Sequence, residues 1–216
     1  MNDVQIKTSE LFDCNIEFLK DFFDDHEYPW SMIPDIGRLL EDILYNGLEG
    51  YSLLKEGILV GKNVKISPMS EICAPAVIGH GTEVRIGAYI RGNVIVGENC
   101  VIGNSCEIKN SILLNGVQVP HYNYVGDSVL GNKSHLGAGA ICSNLKNDKS
   151  NVVVRGETDF PTGLRKLGAI LGDGVNVGSG CVLNPGTVIG KSTSVYPLQA
   201  LRGIIPSCKI IKSQSI

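Results

Sequence analysis

Stepping by six from Val60 gives Val60, Ile66, Ile72, Ile78, Val84, Ile90, Val96, Ile102, Ile108 and Leu114, all aliphatic and mostly β-branched. Glycine follows several of them, as in Val60-Gly61, Ile78-Gly79, Val96-Gly97 and Ile102-Gly103. A helix repeats about every 3.6 residues and a strand about every two, so a strict period of six fits stacked short strands and no helix. Such a repeat predicts a parallel β-helix with three short strands per coil. The aliphatic residues then form a ladder inside a triangular prism. Glycine beside the ladder suits corners that need positive φ or close backbone approach.

Composition agrees with a narrow core. Hydrophobic residues make up 43% of the 216, but aromatics only 6%. A slim prism has room for Ile, Val, Leu, Cys and Ala and little for Phe or Trp. Net charge is −3, which argues against general nucleic-acid binding, so an anionic ligand has to be met by a local cluster of Lys and Arg. The seven cysteines show no zinc-like spacing. Cys100, Cys106 and Cys181 each precede a ladder residue by two and read as small core hydrophobes of a reducing compartment. The N-terminus holds no apolar signal-like run, and no stretch has the length needed to span a bilayer. A cytoplasmic location, with no membrane partner, is expected.

Three regions follow along the chain. Residues 1–56 hold four of the five Phe and the only Trp. They predict short helical segments near 15–25 and a firmer helix over 33–46, stopped by Asn46-Gly47. This region either covers an end or side of the prism or forms an arm for another subunit. Residues 57–201 carry the ladder, which loses phase after Leu114 and resumes at Tyr124, Leu130, Leu136 and Cys142. The slip is therefore expected within Gly116–Asn123. Residues 143–169 leave the ladder as a loop, expected to reach over a ligand or a neighbouring subunit. The ladder returns at Leu171, Val177, Leu183, Ile189, Val195 and Leu201. Residues 202–216 are expected to be a frayed or packed tail.

The six-residue ladder resembles the hexapeptide-repeat family of left-handed β-helices. That resemblance implies an all-β, left-handed parallel β-helix with a small N-terminal helical segment. It also implies a homotrimer with ligand sites on the outside, between prisms. Metal-dependent members similar to γ-class carbonic anhydrases need three imidazoles, two of them close in sequence. The histidines here are His26, His80, His121 and His135, none close neighbours, so no metal site is expected.

The acyltransferase branch fits better. Tyr89-Ile90-Arg91-Gly92, Glu107-Ile108-Lys109-Asn110-Ser111, Pro120-His121-Tyr122-Asn123-Tyr124-Val125-Gly126-Asp127, Leu136-Gly137-Ala138-Gly139 and Ser143-Asn144-Leu145 occur in that order. They resemble the acetyltransferase domain of bifunctional N-acetylglucosamine-1-phosphate uridylyltransferase/glucosamine-1-phosphate N-acetyltransferases, and of archaeal-type sugar-1-phosphate nucleotidylyltransferases, over roughly residues 60–200. The resemblance implies acetyl-CoA as co-substrate and an amino-sugar phosphate as acceptor. His121 would be the general base. Arg91 and Lys109 would hold the phosphate. Tyr124, His135 and Asn144 would contact the sugar, although Tyr124 also falls on a ladder position. A backbone N–H near Gly137–Gly139 would bind the oxyanion. Ala138, Gly139 and Ser179 would line the coenzyme arm. His135 replaces an expected Asn, Pro197 an expected Ala, and Lys149 is displaced by one residue, which leaves the sugar open. Residues 1–56 are too few for a nucleotide-binding domain, so no nucleotidylyltransferase activity is expected from this chain. The alternative is a non-catalytic trimeric partner of a separate sugar nucleotidylyltransferase.

Overall fold

The computed structural model describes residues 6–212; the first five residues of the expected helical segment and the last four of the expected tail lie outside them. Three parallel sheets wrap around one axis, and successive strands of the chain visit each sheet in turn. This is the left-handed hexapeptide β-helix. Wall A contains Ile58–Val60, Ala76–Ile78, Val94–Val96, Ser111–Leu113, Val129–Leu130, Ala169–Leu171, Thr187–Ile189 and Ile204–Ile205. Ser52–Lys55 adds to it as one antiparallel strand. Wall B runs from Lys65–Ile66 to Ile210–Ile211, and wall C from Glu71–Ile72 to Ala200–Leu201. The coil thus continues past Leu201, where a tail was expected, through two further strands.

The inner core is the expected ladder with two changes of phase. Val96 pairs with Leu113, not Leu114, and Ile108 pairs with Val125, not Tyr124. The slip therefore lies at two corners, Lys109–Ser111 and Gly126–Ser128, rather than within Gly116–Asn123. At both corners one residue adopts left-handed backbone, Asn110 at φ 46° and Asp127 at φ 50°. Asn and Asp tolerate that conformation better than other side chains, and each corner turns with one residue fewer. Leu114 points outward and is buried beneath the N-terminal segment. Cys100, Cys106, Cys142 and Cys181 lie in the inner core. Burial pushes the Cys100 and Cys142 thiols up to about 12, so they stay neutral packing groups.

The outer face of wall A is apolar: Leu59, Val77, Ile95, Ile112, Val129, Ile170 and Val188 are all buried. The N-terminal segment covers that side wall, not an end. Its 3-10 turn Pro29–Asp35 feeds the helix Ile36–Asn46, which stops at Gly47 with φ 75°. Leu11, Leu19, Trp30, Met32, Ile36 and Leu40 supply the covering side chains. The 143–168 excursion also folds back onto the chain. Val153–Val154 and Phe160–Pro161 form a small antiparallel hairpin. Phe160 meets Tyr28 and Trp30, with ring centroids 5.8 and 6.0 Å apart. The loop expected to reach over a ligand or a neighbouring subunit is thus anchored at Phe160 on its own N-terminal cap.

Candidate active site

Wall C carries chemistry-bearing residues at both edges. Along the edge shared with wall A, Arg91, Lys109, Asp127 and Asn144 come from consecutive coils. Arg91 pairs with Glu107 at 2.7 Å, which holds the guanidinium above its ordinary range. Lys109 Nζ lies 3.1 and 3.2 Å from the two Asp127 oxygens. Asp127 also accepts from Asn110 Nδ2 at 2.8 Å and from Asn144 Nδ2. Its side chain is only 5% exposed, so three polar groups converge on one carboxylate sheltered from water. Arg91 and Lys109, with Ile33 and Pro34 of the cap, line a cavity of about 440 Å3.

Tyr124 lies on the wall itself. Because Val125 takes the inner position, the Tyr124 ring faces outward, which removes the conflict between packing and binding. Asn144 Nδ2 donates to its hydroxyl at 3.1 Å. Burial, then Asp127 and Glu107, raise the Tyr124 hydroxyl above its usual range, so it remains protonated at neutral pH. A Cβ at Gly126 would push on both Tyr124 Oη and Asn144 Nδ2 and force this pair to shift.

The opposite edge, shared with wall B, holds His121. Its ring is exposed and has no hydrogen-bond or ion-pair partner among the described residues. The backbone climbs from it in a hydrogen-bonded column. Gly139 N–H donates to the His121 carbonyl, Gly180 N–H to that of Ala138, and Leu198 N–H to that of Ser179, at 2.8–2.9 Å. Ala138 and Ser179 are therefore stacked directly above His121, and both are exposed. A Cβ at Gly139 would meet nothing within 4 Å, so the ledge is open. Of the expected oxyanion donors, Gly137 N–H is spent on Val177 and Gly139 N–H on His121. Ala138 N–H is the one left over.

His121 therefore does not touch the Arg91–Lys109 pair; they lie at opposite ends of the short wall C strands. His135 is on wall B, with Nδ1 3.1 Å from Asn176 Oδ1, and does not join Tyr124 and Asn144 within the chain. Two residues gained no role from sequence. Asp127 is the hub of the wall A edge. Asn123, 2% exposed, accepts from His121 N–H at 3.0 Å and donates to the carbonyls of Gly137 and Ala140 at 2.7 and 3.1 Å. It ties the His121 corner to the glycine turn above. The signal for both was their place beside the candidate residues at coil corners, where a polar side chain can satisfy backbone groups.

The GMPPB C-terminal domain family matches residues 72–195. The chain belongs to that family. The matched span contains Arg91, Lys109, His121, Tyr124, His135, Ala138, Asn144 and Ser179. Among curated relatives, the "Bifunctional protein GlmU" of Methanococcus aeolicus is 33% identical over 178 residues, 81% of this chain and 43% of that protein. The "Bifunctional sugar-1-phosphate nucleotidylyltransferase/acetyltransferase" of Sulfurisphaera tokodaii is 32% identical over 175 residues, 78% of this chain and 43% of that protein. The chain thus spans less than half the length of these relatives. A crystal structure of a hexapeptide transferase family protein from Anaplasma phagocytophilum shares 19% identity at a TM-score of 0.49, covering 69% of this chain and 81% of that one. Among the described residues no helix is long and apolar enough to cross a membrane.

Proposed function

We propose that this chain is an acetyl-CoA-dependent N-acetyltransferase acting on a hexosamine 1-phosphate, with His121 as general base. One observation carries the reading: an exposed, unpartnered imidazole stands at the foot of an open ledge, on a wall whose far edge presents Arg91 and Lys109. The Sulfurisphaera relative is named as an acetyltransferase as well as a nucleotidylyltransferase, which supports the same reaction class. The acceptor lies across wall C, its phosphate in the cavity by Arg91 and Lys109 and its sugar against Tyr124 and Asn144. The pantetheine arm runs up the ledge past Ala138, Gly139 and Ser179, where small residues allow close approach. His121 takes the amine proton as nitrogen attacks the thioester carbon. The C–N bond forms, the C–S bond breaks, and the imidazolium returns the proton to the leaving thiolate. Ala138 N–H is the donor available to the oxyanion.

A homotrimer belongs to this reading. Met69, Ile86, Tyr122 and Leu198 are 69%, 46%, 66% and 81% exposed, all at the edge between walls B and C. Tyr122 and Leu198 also hold left-handed backbone, φ 52° and 62°, which is strained for such side chains. An exposed apolar edge of this kind suits contact with another copy. In such an assembly His135, on wall B, reaches a wall C cleft only from an adjacent protomer.

A second reading, a non-catalytic partner of a sugar nucleotidylyltransferase, is favoured by one observation: both phosphate-holding cations already carry carboxylate partners. Thiol release from acetyl-CoA separates the two. It is measured with glucosamine 1-phosphate, galactosamine 1-phosphate and an amino sugar without phosphate. Acetyl transfer predicts release that depends on the phosphate and on His121. No release with any acceptor, from wild type or from His121→Ala, would remove the enzyme reading.

A further inference from the structure

Beyond Asn144, on the same edge of wall C, lies a second cavity of about 490 Å3. It is an open depression between the excursion, which supplies Ser143, Lys146, Asp148 and Arg155, and the coil corners at Asn184 and Arg202. Three cations face one carboxylate. Lys146 is 3.6 Å from Asp148, and Arg155 pairs with Asp159, which is not part of the lining. Arg202 has no hydrogen-bond or ion-pair partner among the described residues.

The arrangement is built into the backbone. Ile204 N–H donates to the Arg155 carbonyl at 2.9 Å, and Leu167 N–H to that of Asn144 at 3.0 Å. Gly203, at φ 77°, lets the chain pass against that Arg155 carbonyl, where a Cβ would collide. The excursion is thereby pinned so that Arg155 and Arg202 line one space. Asp148 and Asp159 offset the charges of Lys146 and Arg155, so Arg202 is the guanidinium left for an anion to complete, with the other two cations beside it. Guanidinium forks match phosphate oxygens bidentately.

We propose that this cavity is a diphosphate-binding site, separate from the Arg91–Lys109 cavity and independent of the acyl-transfer reading. Three cations set around a cavity of this size suit two linked phosphates better than one. No aromatic residue lines it, so no nucleobase finds a stacking surface and the diphosphate itself is what is read. Inorganic pyrophosphate and a nucleoside diphosphate present that same group.

Calorimetric titration of the full chain with inorganic pyrophosphate in about 50 mM salt tests the site. One pyrophosphate per chain is expected, with affinity falling as salt rises toward about 200 mM. Arg202→Gln and Arg155→Gln should each weaken binding at least about tenfold, while Arg91→Gln leaves it unchanged. Uridine diphosphate should bind within about threefold of pyrophosphate, because the base adds no stacking. Arg202 is exposed, so its variant should keep the wild-type circular dichroism and melting temperature, and salt sensitivity of the wild type gives a mutation-free check. Three results overturn the proposal: no heat with millimolar pyrophosphate; weakening by Arg91→Gln but not by Arg202→Gln, which moves the anion to the other cavity; or uridine diphosphate binding more than about tenfold tighter, which means the base is read. Loss of acetyl transfer in the thiol assay leaves this titration untouched, so the two readings fail separately.

Discussion

The two edges of wall C are built on opposite plans. The edge toward wall A is a closed network in which Arg91, Lys109, Asn110 and Asn144 already have partners on the protein. The edge toward wall B is bare: His121 has no side-chain partner, and small residues stand above it. A satisfied network fixes geometry and resists change, because removing one member strands the others. A bare edge can lose a side chain with little effect on folding. Stability and activity should therefore be separable by edge.

The largest expected effect is on the bare edge. His121→Ala should lower kcat for acetyl transfer by about 10²–10⁴-fold, with an unchanged melting temperature. A loss of stability as large as the loss of rate would break the contrast. At the closed edge, Asp127→Ala leaves the partly buried Lys109 ammonium unpaired and takes one acceptor from each of Asn110 and Asn144, which keep the Ile33 carbonyl and the Tyr124 hydroxyl. It should cost about 2–4 kcal/mol in urea unfolding, and Asp127→Asn less, because one acceptor oxygen remains. Asn123→Ala sharpens the division, since it braces the bare edge from inside. Its loss leaves the Ala140 carbonyl without its side-chain donor and the Gly137 carbonyl with the Ala140 N–H alone, and should cost about 1–3 kcal/mol, with KM for acetyl-CoA rising as the 137–140 turn loosens. The smallest effect is expected from Arg91→Gln: a KM about tenfold higher for the phosphorylated acceptor alone. An equal change for an acceptor without phosphate would put the phosphate elsewhere.

The prism was legible because its constraint is repeated. Every coil must place an aliphatic residue inward, and Val60 through Ile108 announce this at each step. The phase failed where two adjacent residues could each serve. Leu113 and Leu114 are equally aliphatic, and only the left-handed turn at Asn110 decides which one enters. At Tyr124-Val125 the narrow core admits only the smaller side chain, so the same volume argument that explains the shortage of aromatics could have freed Tyr124 for the surface. Arg91, Lys109, His121 and Asn144 were marked by their resemblance to the family's motifs, but their division between two edges was not. That division depends on how many residues each corner uses. Asp127 was hidden for the same reason: its importance comes from stacking against residues of the neighbouring coils, and no linear pattern marks it.

The roof over wall A has a consequence for assembly. A three-sided column that has sealed one of its sides with its own leading segment has only two left for meeting copies of itself. A copy docking on either of those two leaves the leading segment in place. The excursion lodged against the sealed side is held by the same roof, so a contact on the bare walls does not have to move it.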